Sequence, residues 1–113
     1  MRKRTRKFAL DVMKLVEGFP KTRAGDVIGK QMLRSATSVG ANYRSACRAQ
    51  SHAHFISKMN IALEEADESL YWLELAIESG LAKRDIIEDL LREANELTAI
   101  FAASIKTARK RYG

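Results

Sequence analysis

The chain has 113 residues and a mass of 12.7 kDa, with 46% hydrophobic and 30% charged residues, which fits one globular domain and excludes a disordered chain. One proline and six glycines are too few to punctuate a many-stranded β fold, and no uncharged run approaches the ~20 residues that span a bilayer. The net charge of +6 conceals a segregation: residues 1–50 carry twelve Lys/Arg against three Asp/Glu, residues 51–105 carry four against eleven, and residues 106–113 carry four against none.

The basic opening Met1-Arg2-Lys3-Arg4-Thr5-Arg6-Lys7 is not followed by a long apolar segment, because Asp11 and Lys14 interrupt it. No secretory signal is expected there. The single cysteine, Cys47, has no partner for an internal disulfide, and the expected setting is cytoplasmic. Phe8, Val12, Leu15, Val16 and Phe19 then mark one face of a first helix, which Gly18-Phe19-Pro20 ends.

A second helix is expected from Arg23–Asp26, capped by Thr22 or Asp26, to about Arg48. Its interior is rich in small residues, and Gly40 costs about 1 kcal/mol there relative to alanine. Close approach by a neighbouring helix backbone accounts for that choice. The third helix has Ser51 as its N-cap and Gly80 just past its end. Phe55, Met59, Ala62, Leu63, Ala66, Leu70, Leu73 and Ile77 form its stripe.

The fourth helix starts around Lys83–Asp85 with the stripe Ile87, Leu90, Leu91, Ala94, Leu97, Phe101, Ile105 and Ala108. Acids at its start and bases at its end complement its dipole. Short connections between helices of comparable length predict an all-α, up-down-up-down antiparallel four-helix bundle. It forms a single domain over 1–113, with a basic N-terminal tail at about 1–5 and a basic C-terminal end at about 106–113. Leu10, Met13, Ile61, Trp72, Leu75, Ile86 and Ile100 fall off the main stripes. That surplus predicts self-association; the alternative is a wide core stripe with Trp72 alone partly exposed.

In such a bundle the N-terminus, the turn between the second and third helices, and the C-terminus share one pole. That pole gathers Arg2, Lys3, Arg4, Arg6, Lys7, Arg44, Arg48, Lys58, Lys106, Arg109, Lys110 and Arg111, with His52 and His54 beside them. Glu74, Glu78, Asp85, Glu88 and Asp89 lie toward the other. A basic pole is suited to the phosphates of RNA or DNA, without base-specific reading. The alternative is a pair of solvated tails with no partner.

No catalytic constellation emerges. Neither histidine stands three residues after a glutamate, the spacing that builds metal sites inside bundles, and a His-x-His pair at a helix start is expected to face solvent or cap the helix. Glu64 and Glu68 form a like-charge pair on the third helix, and Cys47 is expected as a small buried residue rather than a nucleophile. Gln31, Arg34, Ser35, Ser38, Asn42 and Ser45 form a polar stripe on the second helix, either a solvent face or a subunit interface. No glycine-rich phosphate loop or nucleophile elbow occurs. No enzyme activity, metal or cofactor is expected.

Phe19-Pro20, then Gln31, Arg34, Ser38-Val39 and Asn42, then Phe55, Ala62 and Glu68 give the chain a resemblance to a known family. Over roughly residues 8 to 105 it resembles the four-helix-bundle proteins encoded in 23S rRNA intervening sequences, which include the accessory variability protein of diversity-generating retroelements. The resemblance implies a bundle that assembles into rings, typically homopentamers, with no established enzymatic activity. It also implies, from the basic retroelement branch, contact with nucleic acid and with a partner protein. Arg34 and Glu68 belong to that pattern and are expected to pair, between helices or between subunits. One departure stands out. The family pattern continues after its asparagine with Ile-Ala-Glu-Gly, whereas Asn42 is followed by Tyr43-Arg44-Ser45-Ala46, which makes this helix end more basic.

The reading is a non-catalytic ring-forming scaffold, a homopentamer by resemblance, whose basic pole contacts RNA or DNA. The expected interface residues are Gln31, Arg34, Ser38, Asn42, Glu68 and Trp72. The expected partners are other copies of the chain, a nucleic acid and a partner protein, and no membrane. The alternative is a purely structural or protein-interaction oligomer whose basic ends aid solubility.

Overall fold

Four helices make up the computed structural model, which describes residues 1–112: α1 (Arg2–Glu17), α2 (Arg23–Cys47), α3 (His52–Glu78) and α4 (Arg84–Tyr112). Each packs against its neighbours in the chain and α1 closes the circle against α4, giving an antiparallel bundle with extents of 47 × 21 × 20 Å. The helix ends follow local chemistry. Thr22 Oγ1 accepts a hydrogen bond from the Gly25 amide at 3.0 Å and Ser51 Oγ accepts one from the His54 amide at 3.0 Å, each satisfying an orphan donor of a first turn. At the end of α3, Gly80 adopts φ +79°. Its amide bonds Ile77 O and the Leu81 amide bonds Ala76 O, the paired closure that favours glycine at this position.

Most of the stripes of α1 and α4 lie where the periodicity places them: Phe8, Val12, Phe19, Ile87, Leu90, Ala94, Leu97, Phe101, Ile105 and Ala108 are buried, while Leu15, Val16 and Leu91 are half-buried at the edge of the core. The centre of α3 differs. Met59, Ala62, Ala66, Ser69, Leu73 and Ala76 are buried, while Phe55, Leu63, Leu70 and Ile77 flank the core half-buried. Alternating steps of three and four keep the mostly small residues on the axis, and the large side chains, about two turns apart, wedge beside them. Small residues let α2 approach α3 closely: Ser69 and Ser35, both fully buried, join hydroxyls at 3.0 Å.

Gly40 is explained as expected. A Cβ there would sit 3.3 Å from Thr5 Oγ1, and one at Gly29 would sit 2.9 Å from Val16 Cγ1, so both glycines admit α1. Two expectations are corrected. The helices are not of comparable length, since α1 has 16 residues against 25, 27 and 29 for the others. There is also no basic tail at residues 1–5, because the helix begins at Arg2 and Thr5 is buried against Gly40. Of the basic end at 106–113, residues up to Tyr112 continue α4 and Gly113 lies outside the described residues.

Candidate nucleic-acid interface

The register of α1 decides where the cations go. Thr5 meets Gly40, and Arg4 donates through Nε and Nη2 to the two Glu93 carboxylate oxygens, both at 2.7 Å, with Glu96 at 3.4 Å. From Glu96, α4 runs on to Tyr112, roughly 24 Å at ~1.5 Å per residue. The start of α1 therefore lies against the flank of the bundle and not at its tip. The sequence reading gathered all these cations at one pole; the structure divides them. Arg4 and Lys7 are engaged, Arg4 with Glu93 and Lys7 with Asp11 at 2.7 Å. Hydrogen bonding from Glu93 raises the Arg4 pKa, and hydrogen bonding from Asp11 raises that of Lys7.

Two sets of cations remain without a carboxylate partner among the described residues. Arg2 and Arg6 of α1 face Arg44 of α2 and its C-cap Arg48 across a groove of about 470 Å³. On the other side of the bundle, Lys106, Arg109 and Lys110 of α4 line a cavity of about 630 Å³ with Asn60 and Leu63 of α3. Arg111 lines a third, beside His52 and Phe55. Lys3 is exposed on the first turn of α1, which carries no acidic residue. The acids Glu74, Glu78, Asp85, Glu88 and Asp89 are exposed around the α3–α4 turn, where Arg92 pairs with Asp89.

The expected interface residues separate into two groups. Arg34 pairs with Glu68, as expected, and also with Glu65 at 2.9 Å. Gln31 Oε1 accepts from Arg34 Nε at 3.3 Å, and Trp72 Nε1 donates to Glu68 Oε2 at 2.9 Å. This network spans α2 and α3 within one chain. The Trp72 indole bond, together with Arg34 and against the opposing effect of burial, holds the Glu68 carboxyl below its ordinary range. Ser38 and Asn42 are not part of the network: the Asn42 amide donates to Ser38 O at 2.9 Å within α2. Glu65 escaped sequence reasoning, which singled out only Glu64 and Glu68 among the acids in the middle of this helix; its i, i−3 relation to Glu68 was the available signal.

Cys47 is corrected as well. It was expected to be buried and is exposed. It lies on the side of α2 that faces α1 lower down, but with Thr5 against Gly40 the first residue of α1 reaches only about one turn further, and the end of α2 at Cys47 stays uncovered. Nearby, the Tyr43 ring stacks on Phe101 with centroids 6.0 Å apart, and burial, with the Cys47 thiol beside it, pushes its phenol above the usual range. His52 is half-buried with Nε2 3.1 Å from Ala108 O, and His54 is exposed. Among the described residues no three His, Cys, Asp or Glu side chains gather to hold a metal, and no helix is long and apolar enough to cross a membrane.

An antiparallel helical bundle that carries unpaired arginines and lysines on separate faces, and an ion-pair network between its second and third helices, defines the class. The chain belongs to the 23S rRNA-intervening sequence protein family, whose model matches residues 1–103. It is similar to a Bacteroides thetaiotaomicron protein of unknown function from the S23 ribosomal protein family, solved as a crystal structure at 1.70 Å resolution. The two share 39% sequence identity and superpose with a TM-score of 0.87 over 93% of this chain and 97% of that one. No curated protein matches the chain. Neither family name nor neighbour supplies a reaction.

Proposed function

We propose that this protein is a non-catalytic, self-associating scaffold whose basic surfaces bind the phosphates of RNA or DNA. The observation that carries the reading is the fate of the cations. Arg4, Lys7, Lys30, Arg34 and Arg92 are consumed by carboxylates of the fold, whereas Arg2, Arg6, Arg44, Arg48, Lys106, Arg109 and Lys110 stand in acid-free grooves. Cations that no internal carboxylate neutralises attract polyanions and bind them in a salt-dependent way. Self-association is supported by exposed Leu10, Met13, Val27, Ile61, Tyr71 and Ile86, with Trp72 half-buried beside Tyr71. A pentameric ring is the assembly the family resemblance implies.

Light-scattering mass on a size-exclusion column, alone and with a short RNA at two salt concentrations, tests both halves. The expected result is a mass of about five chains that takes up RNA at low salt and releases it at high salt. A monomer overturns self-association. An oligomer that ignores RNA at low salt leaves the second reading, a protein-interaction scaffold, which the exposed apolar side chains on α1 and α3 favour.

A further inference from the structure

The two unpaired basic surfaces are not equivalent. Arg109 and Lys110 belong to the last turn of α4, where cations offset the negative end of the helix dipole, and Lys106 stands one turn before them. The dipole accounts for Arg109 and Lys110. Arg2 stands at the opposite kind of position, the positive end of α1, with Arg6 one turn further on and no acid in the first turn. The dipole there disfavours a cation, and no carboxylate among the described residues relieves it. Across the groove stand Arg44, in the last turn of α2, and Arg48, its C-cap, which the dipole of α2 favours as that of α4 favours its own last-turn bases. Nothing in the fold uses the charge of Arg2 and Arg6 in that way, and an external anion bridging the two walls would neutralise it.

The shape agrees. Between the arginines the groove is lined by Thr5, Ala9, Thr37, Gly40 and Ala41, with Tyr43 the one large side chain, so most of the floor is too short to fill it. Arg2 and Arg6 stand four residues apart on one wall, and Arg44 and Arg48 four apart on the other. Each pair is spaced about 6 Å along its helix. All four are arginines, whose planar forks match phosphate oxygens better than a lysine point charge does. A recess of about 470 Å³ takes a short stretch of one sugar–phosphate chain between the two arginine pairs, whereas a duplex would rest across its rim.

We propose that the α1–α2 groove is a binding site for the phosphodiester backbone of a single nucleic-acid strand, held by Arg2 and Arg6 on one wall and Arg44 and Arg48 on the other. The proposal rests on the nucleic-acid reading above and narrows it to one surface and one form of ligand. The groove is open at one end because α1 begins about one turn past the Thr5–Gly40 contact, which leaves Arg48 at its mouth.

The test is fluorescence-anisotropy binding of a labelled single-stranded RNA to the full chain and to two charge-reversed variants. Arg6→Glu/Arg44→Glu strips the groove, and Lys106→Glu/Arg109→Glu/Lys110→Glu strips the α4 face. Arg6 and Arg44 are exposed and unpaired, and Arg6→Glu places an acid near the positive end of α1, so the groove variant is expected to keep its helical circular dichroism. Four phosphate contacts to a single strand give a log–log salt slope of about −3, or a loss of about fiftyfold between about 50 and 200 mM salt. The expected result is at least about tenfold weaker binding and a slope smaller by about 1.4 for the groove variant, with the α4 variant close to wild type.

The opposite pattern, loss only in the α4 variant, overturns the groove while leaving nucleic-acid binding intact. No binding by the wild-type chain at low salt overturns both. Duplex RNA that binds as tightly as the single strand, or inorganic tripolyphosphate that displaces the strand at equal phosphate concentration, overturns the assignment of a single strand. Single-stranded DNA of the same length is expected to bind comparably, because the proposed contacts are to phosphate.

Discussion

The α2–α3 seam and the α1–α4 seam close the same bundle by different physics. Between α2 and α3 the side chains are small, the Ser35 and Ser69 hydroxyls meet at 3.0 Å with no exposure, and Arg34 crosses above them to Glu65 and Glu68. Between α1 and α4 a groove of about 570 Å³ separates the helices, lined by Lys7, Asp11, Lys14, Asp89 and Glu93 around Phe8, Leu15 and Leu90. The Arg4 fork on Glu93 straps that seam from outside. One seam is held by close packing with its polar atoms satisfied, the other by an ion pair over a shallow apolar floor. Packing tolerates little change, whereas half-exposed charge is screened and contributes little. The first helix is therefore the bundle's least firmly attached element on its α4 side.

Substituting one residue in each seam tests this most strongly. Ser69→Leu puts three carbons in place of the hydroxyl oxygen directly against Ser35 and deletes a buried hydrogen bond, so it is expected to destabilise folding by about 2–3 kcal/mol. Ile86, 62% exposed at the edge of the α1–α4 groove, is expected to tolerate Ala within about 0.5 kcal/mol. Urea midpoints read both, and equal effects would show that the seams are alike.

The strap itself gives a smaller effect. Arg4 and Glu93 have 36% and 24% of their side-chain surface exposed, so Arg4→Gln is expected to cost less than about 1 kcal/mol, most of it absent at high salt. Hydrogen exchange sharpens the point. Amides of α1 should exchange faster in Arg4→Gln while those of α3 are unchanged; uniform acceleration would mean that α1 does not open separately.

Most of the fold was legible because it depends on local chemistry. Thr22, Ser51 and Gly80 mark their helix ends by the groups they satisfy, and the stripes of α1 and α4 are large apolar residues at helical spacing. Hydrophobicity alone misplaces the axis of α3, since Ser69 and Ala76 are buried while the larger Leu70 and Ile77 are only half so. What lies nearest the core there is set by how closely α2 approaches. The site was less legible still. Residue types identified the cations, but whether Arg4 is spent on Glu93 or Arg6 is left free depends on the axial register of α1 against α2 and α4, which no periodicity in either helix encodes. The same register exposes Cys47. Arg34 and Glu68 were paired through a family pattern; that Glu65 shares the arginine required the geometry.

The smallest expected effect concerns the outer edge of the α2–α3 seam, and the protein carries its own probe there. Trp72 is the single tryptophan, and its indole N–H donates to the same Glu68 oxygen that Arg34 reaches. That bond, with Arg34, lowers the Glu68 pKa in the folded state. A carboxyl depressed on folding contributes stability that is present above its unfolded value and is lost as pH falls through the folded one. The emission of Trp72 should therefore titrate with a midpoint below the ordinary glutamate range, before the bundle unfolds in acid. Arg34→Ala should move that midpoint upward while leaving the circular dichroism at neutral pH unchanged, because Glu68 is partly exposed and its loss of a partner is screened. A midpoint at the ordinary glutamate value in the wild type, unmoved by Arg34→Ala, would mean that the arginine, glutamate and indole do not share one oxygen in solution. The two seams would then differ only in packing.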